Sequence, residues 1–144
     1  MIDSFRYMLG CAFQSAVDGG QRLSRRPRVL LADDYPDMVK AVSRLLALDC
    51  EVVGRVADGN AVLEAVQRLQ PDVIVIDLNL PNVNGLEACR QIRLVNPETK
   101  VIVFTAMDDP EIRQRSLEVG ASAFVSKMAV DGDLLSTVKR LCDD

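Results

Sequence analysis

Residues 73–85 of the chain read Val-Ile-Val-Ile-Asp-Leu-Asn-Leu-Pro-Asn-Val-Asn-Gly, so that four β-branched apolar residues run directly into the carboxylate of Asp77. A short apolar run with no polar alternation is typical of a strand that is covered on both faces. Pro81 and Gly85 then interrupt the run and predict a loop before the next element. The stretch therefore predicts a buried strand with an acidic side chain at its carboxyl end.

The same pattern recurs on both sides of this stretch. Short apolar runs predict strands, and segments with helical spacing of apolar residues lie between them. The predicted strands cover 28–32, 51–56, 73–77, 100–105 and 123–125, and the predicted helices cover 36–48, 59–69, 85–95, 109–119 and 132–142. Five β/α alternations indicate an α/β fold, with a parallel sheet between two layers of helices. Ligand sites in such sheets lie beyond the carboxyl ends of the strands.

The length of 144 residues fits one compact domain, and 49% of the residues are apolar, which is enough for a sizeable core. The chain contains no His. Its composition therefore excludes His-dependent catalytic triads, zinc sites that need His, and a role as phosphohistidine carrier. The net charge of −4 argues against direct binding of nucleic acid by bulk electrostatics.

The four cysteines lie far apart, at Cys11, Cys50, Cys89 and Cys142, with no Cys-x-x-Cys pair. This spacing indicates reduced, mostly buried side chains in a cytoplasmic protein. The longest apolar runs are far shorter than the roughly 20 residues that a membrane-spanning helix needs. We therefore expect no association with a membrane.

The chain divides near Pro27, because residues 18–26 carry the turn formers and basic residues of a linker. We predict an N-terminal extension and linker over 1–26 and the main domain over 27–144. Apolar spacing within the extension predicts a helix over 2–17. That helix is expected to pack on the main domain or to mediate self-association, and a segment without a structural role is the alternative.

Polar side chains close four of the predicted strands: Asp33 and Asp34 follow the first, Asp77 the third, Thr105 the fourth and Lys127 the fifth. Each of them alone has an ordinary explanation as a helix cap or a surface residue. Together, three carboxylates at one edge repel one another unless a cation is present. Oxygen ligands without His or thiolate favour Mg²⁺. An Asp beside Mg²⁺, with a hydroxyl and an ammonium nearby, is typical of a phosphoryl acceptor site.

These motifs resemble the receiver domains of bacterial two-component response regulators. The resemblance covers residues 28 to about 142 and depends on Asp33-Asp34, on the run that ends at Gly85, on Phe-Thr105-Ala, and on the segment from Gly120 to Lys127. The details are most similar to the LuxR/NarL-like group. The resemblance implies a flavodoxin-like (CheY-like) fold, with five parallel strands in the order 2-1-3-4-5 and helices on both faces.

The resemblance also implies the metal site. Asp77 is the expected phosphoacceptor. Asp34 and Asp77 are expected to bind Mg²⁺ directly, Asp33 through water, and Asn79 through its backbone carbonyl.

Four further positions receive roles from the resemblance. Thr105 and Lys127 are expected to contact the phosphoryl oxygens. Thr105 and Phe124 are the expected switch pair, in which the aromatic ring turns inward when the hydroxyl moves. Asn79 and Met107 lie where side chains modulate access to the phosphoryl group. We therefore expect a signalling switch rather than a turnover enzyme.

The implied partner is a histidine kinase or a phosphotransfer protein, since the chain has no His of its own. Phosphorylation is expected to change the face formed by the fourth helix, the fifth strand and the fifth helix. That face is expected to control an output domain or partner, with transcription regulation as the output, and to form a homodimer on activation. DNA binding by this chain itself is not expected, given its net charge of −4.

Two other functions remain open from the residues. A haloacid-dehalogenase-like phosphatase also combines an Asp nucleophile with Mg²⁺, although its Asp-x-Asp motif follows the first strand. A pseudo-receiver shares the fold but ignores phosphate, although such modules commonly lose the acidic set.

Overall fold

The computed structural model describes residues 25–107, 109–128 and 132–142. Strands and helices alternate throughout this part of the chain. The strands are β1 (Arg28–Ala32), β2 (Glu51–Val56), β3 (Val73–Ile76), β4 (Lys100–Thr105) and β5 (Ala123–Ser126), and the helices are α1 (Pro36–Leu46), α2 (Gly59–Leu69), α3 (Gly85–Val95), α4 (Pro110–Glu118) and α5 (Gly132–Cys142).

The five strands of the described residues form one parallel sheet in the order β2-β1-β3-β4-β5. The chain moves outward from β1 to one edge with β2 and then to the other side with β3, β4 and β5. The reversal of direction therefore lies between β1 and β3. The predicted fold class and strand order are confirmed, and the reversal places a crevice at the carboxyl ends of these two strands.

Helices cover both faces of the sheet, which explains why β3 is apolar at every position. Ile74 and Ile76 face a core built with α2 and α3, whereas Val73 and Val75 face a second core built with α1 and α5. All four side chains are buried. Successive residues of a strand point to opposite faces, so a strand between two helical layers needs apolar residues throughout.

The observed element bounds differ from the predicted ones by one or two residues. Helix α1 ends at Leu46 rather than at 48, because the chain turns there and the N–H of Cys50 donates to the carbonyl of Leu46 at 2.7 Å. Helix α4 begins at Pro110 rather than at 109, since the Asp109 side chain caps it by accepting from the N–H of Glu111 at 2.8 Å. Strand β3 ends before Asp77, and β5 extends to Ser126.

Cys50 and Cys89 are free thiols. Both are buried and Cys142 is half-buried, which agrees with the predicted burial of the cysteines. Burial raises the pKa of the Cys89 thiol to about 12. Cys11 lies outside the described residues.

The predicted helix over 2–17 and most of the predicted extension 1–26 also lie outside the described residues. The last two residues of that extension contact the main domain: Arg25 pairs with Asp72 at 2.7 Å, and the Arg26 guanidinium donates to the carbonyl of Cys50 at 2.9 Å. The division at 26/27 stays a prediction. No helix in the described part of the chain has the length and apolar character needed to span a membrane.

Candidate functional site

The carboxyl ends of four strands meet at one edge of the sheet. Ala32 at the end of β1 pairs with Ile76 at the end of β3, and Ile76 pairs in turn with Val103 of β4. Thr105, the last residue of β4, pairs with Ser126, the last residue of β5. The polar residues that follow or close these strands are therefore brought to a common edge, as the sequence predicts.

Three carboxylates converge at this edge. Oxygen atoms of Asp33, Asp34 and Asp77 all lie within 4.8 Å of one another. Asp33 and Asp77 are buried, whereas Asp34 is exposed. The cluster is thus open to solvent on the Asp34 side and closed toward the sheet.

Lys127 supplies a positive charge to the buried pair. Its ammonium nitrogen lies 2.7 Å from Oδ2 of Asp33 and 2.9 Å from Oδ2 of Asp77, and its side chain is only 11% exposed. Burial on its own lowers the pKa of Lys127, but the hydrogen bonds to the two carboxylates outweigh burial and the pKa lies above its ordinary value. Lys127 is therefore charged at neutral pH and screens the repulsion between Asp33 and Asp77.

The other oxygen of each buried carboxylate accepts a backbone hydrogen bond. Oδ1 of Asp33 accepts from the N–H of Tyr35 at 3.0 Å, and Oδ1 of Asp77 accepts from the N–H of Asn79 at 3.2 Å. These bonds span two residues and fix each side chain against its own loop. The two carboxylates are consequently held in place before any ligand binds.

The donor set fits a hard divalent cation. The three carboxylates offer oxygen ligands, which Mg²⁺ prefers at about 2.0–2.1 Å, and the 4.8 Å spread of their oxygens is within reach of one ion after small side-chain rotations. Asn79, whose carbonyl is expected to complete the protein ligands, lies exposed in the loop that follows Asp77. His is absent from the chain, and the described cysteines lie in or against the two cores rather than in this cluster.

Thr105 and Met107 form the β4 side of the site. The Thr105 hydroxyl is fully buried and accepts from the N–H of Met107 at 3.3 Å. The Thr105 carbonyl accepts from the N–H of Lys127 at 2.9 Å, which ties the ends of β4 and β5 together. The Met107 side chain is 39% exposed, consistent with a position at the rim of the site.

Phe124 lies on β5, on the side of the sheet that Thr105 faces. It pairs with Val103, which is two residues before Thr105 on β4, so the three side chains share a face. The ring is partly buried against the core, and the Arg113 guanidinium of α4 lies 4.6 Å from its centroid. Phe124 thus contacts α4 at a short distance from the strand ends.

Sequence reasoning missed two contacts of the site. It predicted that Lys127 pairs with a phosphoryl oxygen, but not that the ammonium bridges Asp33 and Asp77. It also missed a hydrogen bond from the side chain of Asn82, in the loop after Asp77, to the carboxylate of Asp58 at the start of α2. The Asp58-Gly59 pair signals a helix cap, but no local pattern identifies a partner 24 positions away.

Comparison with known proteins decides the family. Residues 29–139 match the family described as response regulator receiver domain. The chain belongs to this family. Its predicted relationship to receiver domains is confirmed, including the likeness to the NarL-like group.

Among its relatives, the chain is 35% identical over 114 residues to the transcriptional regulatory protein DegU of Brevibacillus brevis, a match that covers 78% of the chain and 48% of DegU. It is 32% identical over 112 residues to the nitrate/nitrite response regulator protein NarL of Escherichia coli K12, covering 76% of the chain and 52% of NarL. The receiver domain thus spans about half the length of these curated relatives.

A solved structure shows the same fold. The signal receiver domain of the putative response regulator NarL from Mycobacterium tuberculosis superposes with a TM-score of 0.78 at 30% identity. The alignment covers 82% of this chain and 97% of that domain. The receiver fold is therefore common to both.

Proposed function

We propose that this receiver domain is a phosphorylation switch in which Asp77 accepts a phosphoryl group from the phosphohistidine of a histidine kinase or phosphotransfer protein. The observation that carries the proposal is the position of Asp77, buried at the strand edge with two neighbouring carboxylates and the Lys127 ammonium 2.9 Å away. The given sequence contains no His, which supports a donor histidine on another protein.

In the proposed transfer, an oxygen of Asp77 attacks phosphorus while the bond from phosphorus to the histidine nitrogen of the donor breaks. The donor ring, protonated at its second nitrogen, takes the electrons of that bond and leaves as neutral histidine, and Asp77 carries an acyl phosphate. Asp33, Asp34 and Asp77, with the carbonyl of Asn79, would hold Mg²⁺, which supplies charge neutralisation for the phosphoryl oxygens when bound. Lys127, already paired with Asp77, is in reach of a phosphoryl oxygen attached to that side chain.

The response begins at Thr105. The phosphoryl group adds a charge of about −1.5 to −2 and three acceptor oxygens beside the site. The Thr105 hydroxyl can donate to one of these oxygens after it moves out of its contact with the N–H of Met107. Phe124 then turns into the volume that Thr105 vacates, away from Arg113, and the surface of α4, β5 and α5 changes.

We propose that this changed surface controls an output domain or a partner protein, and that it also supports formation of a homodimer. DegU is named as a transcriptional regulatory protein, and this name supports transcription regulation as the output. We assign DNA binding to that output and not to the receiver. The chain has a net charge of −4, which disfavours binding to the phosphate backbone of DNA. Asn79 and Met107, exposed beside the acidic cluster, are proposed to control access to the phosphoryl group.

The test is incubation with acetyl phosphate and Mg²⁺, followed by intact-mass spectrometry. We expect one phosphoryl adduct on the wild type and none on Asp77→Asn or in excess EDTA. Asp49→Asn is the matched control, because Asp49 is an exposed carboxylate paired with Lys139 at 3.2 Å, outside the acidic cluster. It should form the adduct as the wild type does.

Two further measurements, phosphoester turnover and nuclear magnetic resonance titration with Mg²⁺, separate the two alternatives. A phosphatase would release phosphate over many turnovers from a generic phosphoester, whereas the proposed switch modifies itself once. A pseudo-receiver would give no adduct, and its nuclear magnetic resonance spectrum near Asp33, Asp34 and Asp77 would not respond to Mg²⁺. Either result would contradict the proposed function.

A further inference from the structure

The loop from Asp77 to Asn84 carries the phosphoacceptor and Asn79, and its two ends are fixed locally. At its start, the N–H of Asn79 donates to the Asp77 carboxylate at 3.2 Å. At its end, the Asn84 side chain caps α3 by accepting from the N–H of Leu86 at 2.7 Å. We call this segment, residues 77–84, the acceptor loop. Neither of these bonds fixes the middle of the loop.

The amino terminus of α2 lies directly against that middle part. The N–H of Gly59 donates to the carbonyl of Pro81 at 3.0 Å. A Cβ atom at Gly59 would lie 2.6 Å from Cβ of Val83 and 2.7 Å from its carbonyl oxygen. Only glycine permits this approach, so the acceptor loop and the start of α2 are packed backbone against backbone.

The carboxylate of Asp58 joins the two segments through both of its oxygens. Oδ1 caps α2 by accepting from the N–H of Asn60 at 2.7 Å, and Oδ2 accepts from the side-chain amide of Asn82. Asn82 adopts a positive φ of 75°, a conformation that Asn tolerates better than most residues. The charged acceptor strengthens this hydrogen bond, which we call the Asp58–Asn82 latch.

We propose that Asp58 and Asn82 are positioning residues of the phosphoacceptor site, an inference that rests on the proposed function of Asp77. The latch holds the acceptor loop against α2 at a point three residues beyond Asn79 and five beyond Asp77. With the latch released, the loop samples further arrangements, and the fraction of molecules whose Asn79 carbonyl faces the acidic cluster falls. The apparent affinity for Mg²⁺ falls with that fraction.

Two single variants break the latch in different ways. Asn82→Ala removes the donor and leaves the cap of α2 intact. Asp58→Ser keeps a good helix cap, because the Ser hydroxyl also accepts from the start of the helix, but its side chain is too short to reach Asn82. Gln67→Ala is the matched control, since it removes an exposed side-chain amide from α2 two turns further along the helix.

The first readout needs neither metal nor phosphate. Amide hydrogen exchange of residues 79–84 in EDTA should accelerate about tenfold in both latch variants, which corresponds to about 1.4 kcal/mol of opening free energy. Exchange in β1, β3 and β4 should not change. The second readout is Mg²⁺ titration, in which both variants should bind several-fold more weakly than the wild type. The double variant should be no worse than the more affected single variant.

Three results would contradict the proposed positioning role of the latch. One is exchange in residues 79–84 at the wild-type rate in both variants. Another is acceleration by the same factor in the sheet, because Asp58 and Asn82 would then contribute only global stability. The third is full additivity in the double variant. The phosphorylation assay distinguishes the two hypotheses. If the wild type and both latch variants acquire phosphate equally fast and bind Mg²⁺ with equal affinity, this inference alone is contradicted. If the wild type acquires no phosphate, the proposed function is contradicted.

Discussion

The ammonium nitrogen of Lys127 lies 2.9 Å from Oδ2 of Asp77, although the two residues are 50 positions apart in the chain. The same nitrogen lies 2.7 Å from Oδ2 of Asp33. One lysine therefore serves as counter-charge to two buried carboxylates that repel each other. A divalent cation bound by Asp33, Asp34 and Asp77 would neutralise the same carboxylates. Binding of this cation is therefore coupled to the pairing of the Lys127 ammonium.

This linkage predicts the effect of Lys127→Met. In EDTA the variant should lose about 1–3 kcal/mol of unfolding free energy, because two buried carboxylates lose their hydrogen-bond donor. Added Mg²⁺ should then stabilise the variant more than it stabilises the wild type, since a competing cation has been removed. Urea denaturation with EDTA and with saturating Mg²⁺ measures both effects.

The control for that substitution is Lys139→Met. Lys139 pairs with Asp49 at 3.2 Å, but both side chains are about half exposed. An exposed pair contributes at most about 1 kcal/mol. A loss of stability in Lys139→Met equal to that in Lys127→Met, or a loss in Lys127→Met that Mg²⁺ does not reverse, would contradict the shared role of Lys127.

The raised pKa of Lys127 predicts how its contribution depends on pH. A cation whose pKa is higher in the folded than in the unfolded protein stabilises fully below the unfolded pKa and loses that effect as pH rises through the folded pKa. The unfolded value is about 10.4, so the stability difference between wild type and Lys127→Met should be constant from about pH 8 to 9.5 and shrink above about pH 10.4. Urea denaturation of wild type and Lys127→Met in EDTA, repeated across this pH range, measures the stability difference. A difference that grows between about pH 8 and 9.5 would show that burial, not pairing, dominates the pKa of Lys127, because a lowered folded pKa makes stability rise with pH.

The sequence was sufficient to predict the strands and the edge at which the site lies. The run from Val73 to Ile76 is apolar throughout because both of its faces are covered, and Asp77 follows it directly. Parallel pairing then forces the ends of β1, β3, β4 and β5 together. The meeting of Asp33, Asp34, Asp77, Thr105 and Lys127 at one edge could be predicted because each of them closes or closely follows a strand.

Contacts between side chains from distant elements were not predictable in the same way. Lys127 and Asp33 are 94 positions apart, and their contact depends on how far β5 extends and on the path of the lysine side chain. The bond between Asp58 and Asn82 depends on a positive φ in one loop and on the placement of a helix from another part of the chain. Neither is encoded in a local pattern of apolar and polar residues.

Thr105→Val tests the proposed switch. The substitution keeps the shape of a fully buried side chain and removes only the hydroxyl. We expect the phosphoryl adduct on Asp77 to form, but the resonance shifts of Phe124 and α4 on phosphorylation to be much smaller than in the wild type. Nuclear magnetic resonance spectra with and without acetyl phosphate measure this response.

Thr99→Val is the matched control for the switch. Thr99 is also buried, but it lies at the opposite edge of the sheet, where its hydroxyl donates to the carbonyl of Pro71 at 2.9 Å. This variant should lose about 1–3 kcal/mol of stability, because a buried carbonyl loses its donor, yet keep the full response to phosphorylation. A full response in Thr105→Val would show that the hydroxyl does not transmit the signal.

Gly85→Ala tests the close approach of α3 to the acceptor loop. A Cβ at Gly85 would lie 2.5 Å from Cα of Leu78 and 3.0 Å from the carbonyl oxygen of Asp77, so backbone rather than a side chain must move. We expect a loss of about 1–3 kcal/mol of unfolding free energy from this overpacking. Because the displaced backbone carries Asp77, Mg²⁺ affinity should fall as well.

Gly54→Ala provides the comparison that separates backbone displacement from simple crowding. A Cβ at Gly54 would meet only the ends of two leucine side chains, Cδ1 of Leu69 at 2.8 Å and Cδ1 of Leu30 at 3.3 Å, and such groups can rotate away. Its destabilisation should be the smaller of the two, and its Mg²⁺ affinity should match the wild type. Equal losses of stability and of Mg²⁺ affinity in the two variants would mean that the position of the Asp77 backbone does not depend on the contact with Gly85.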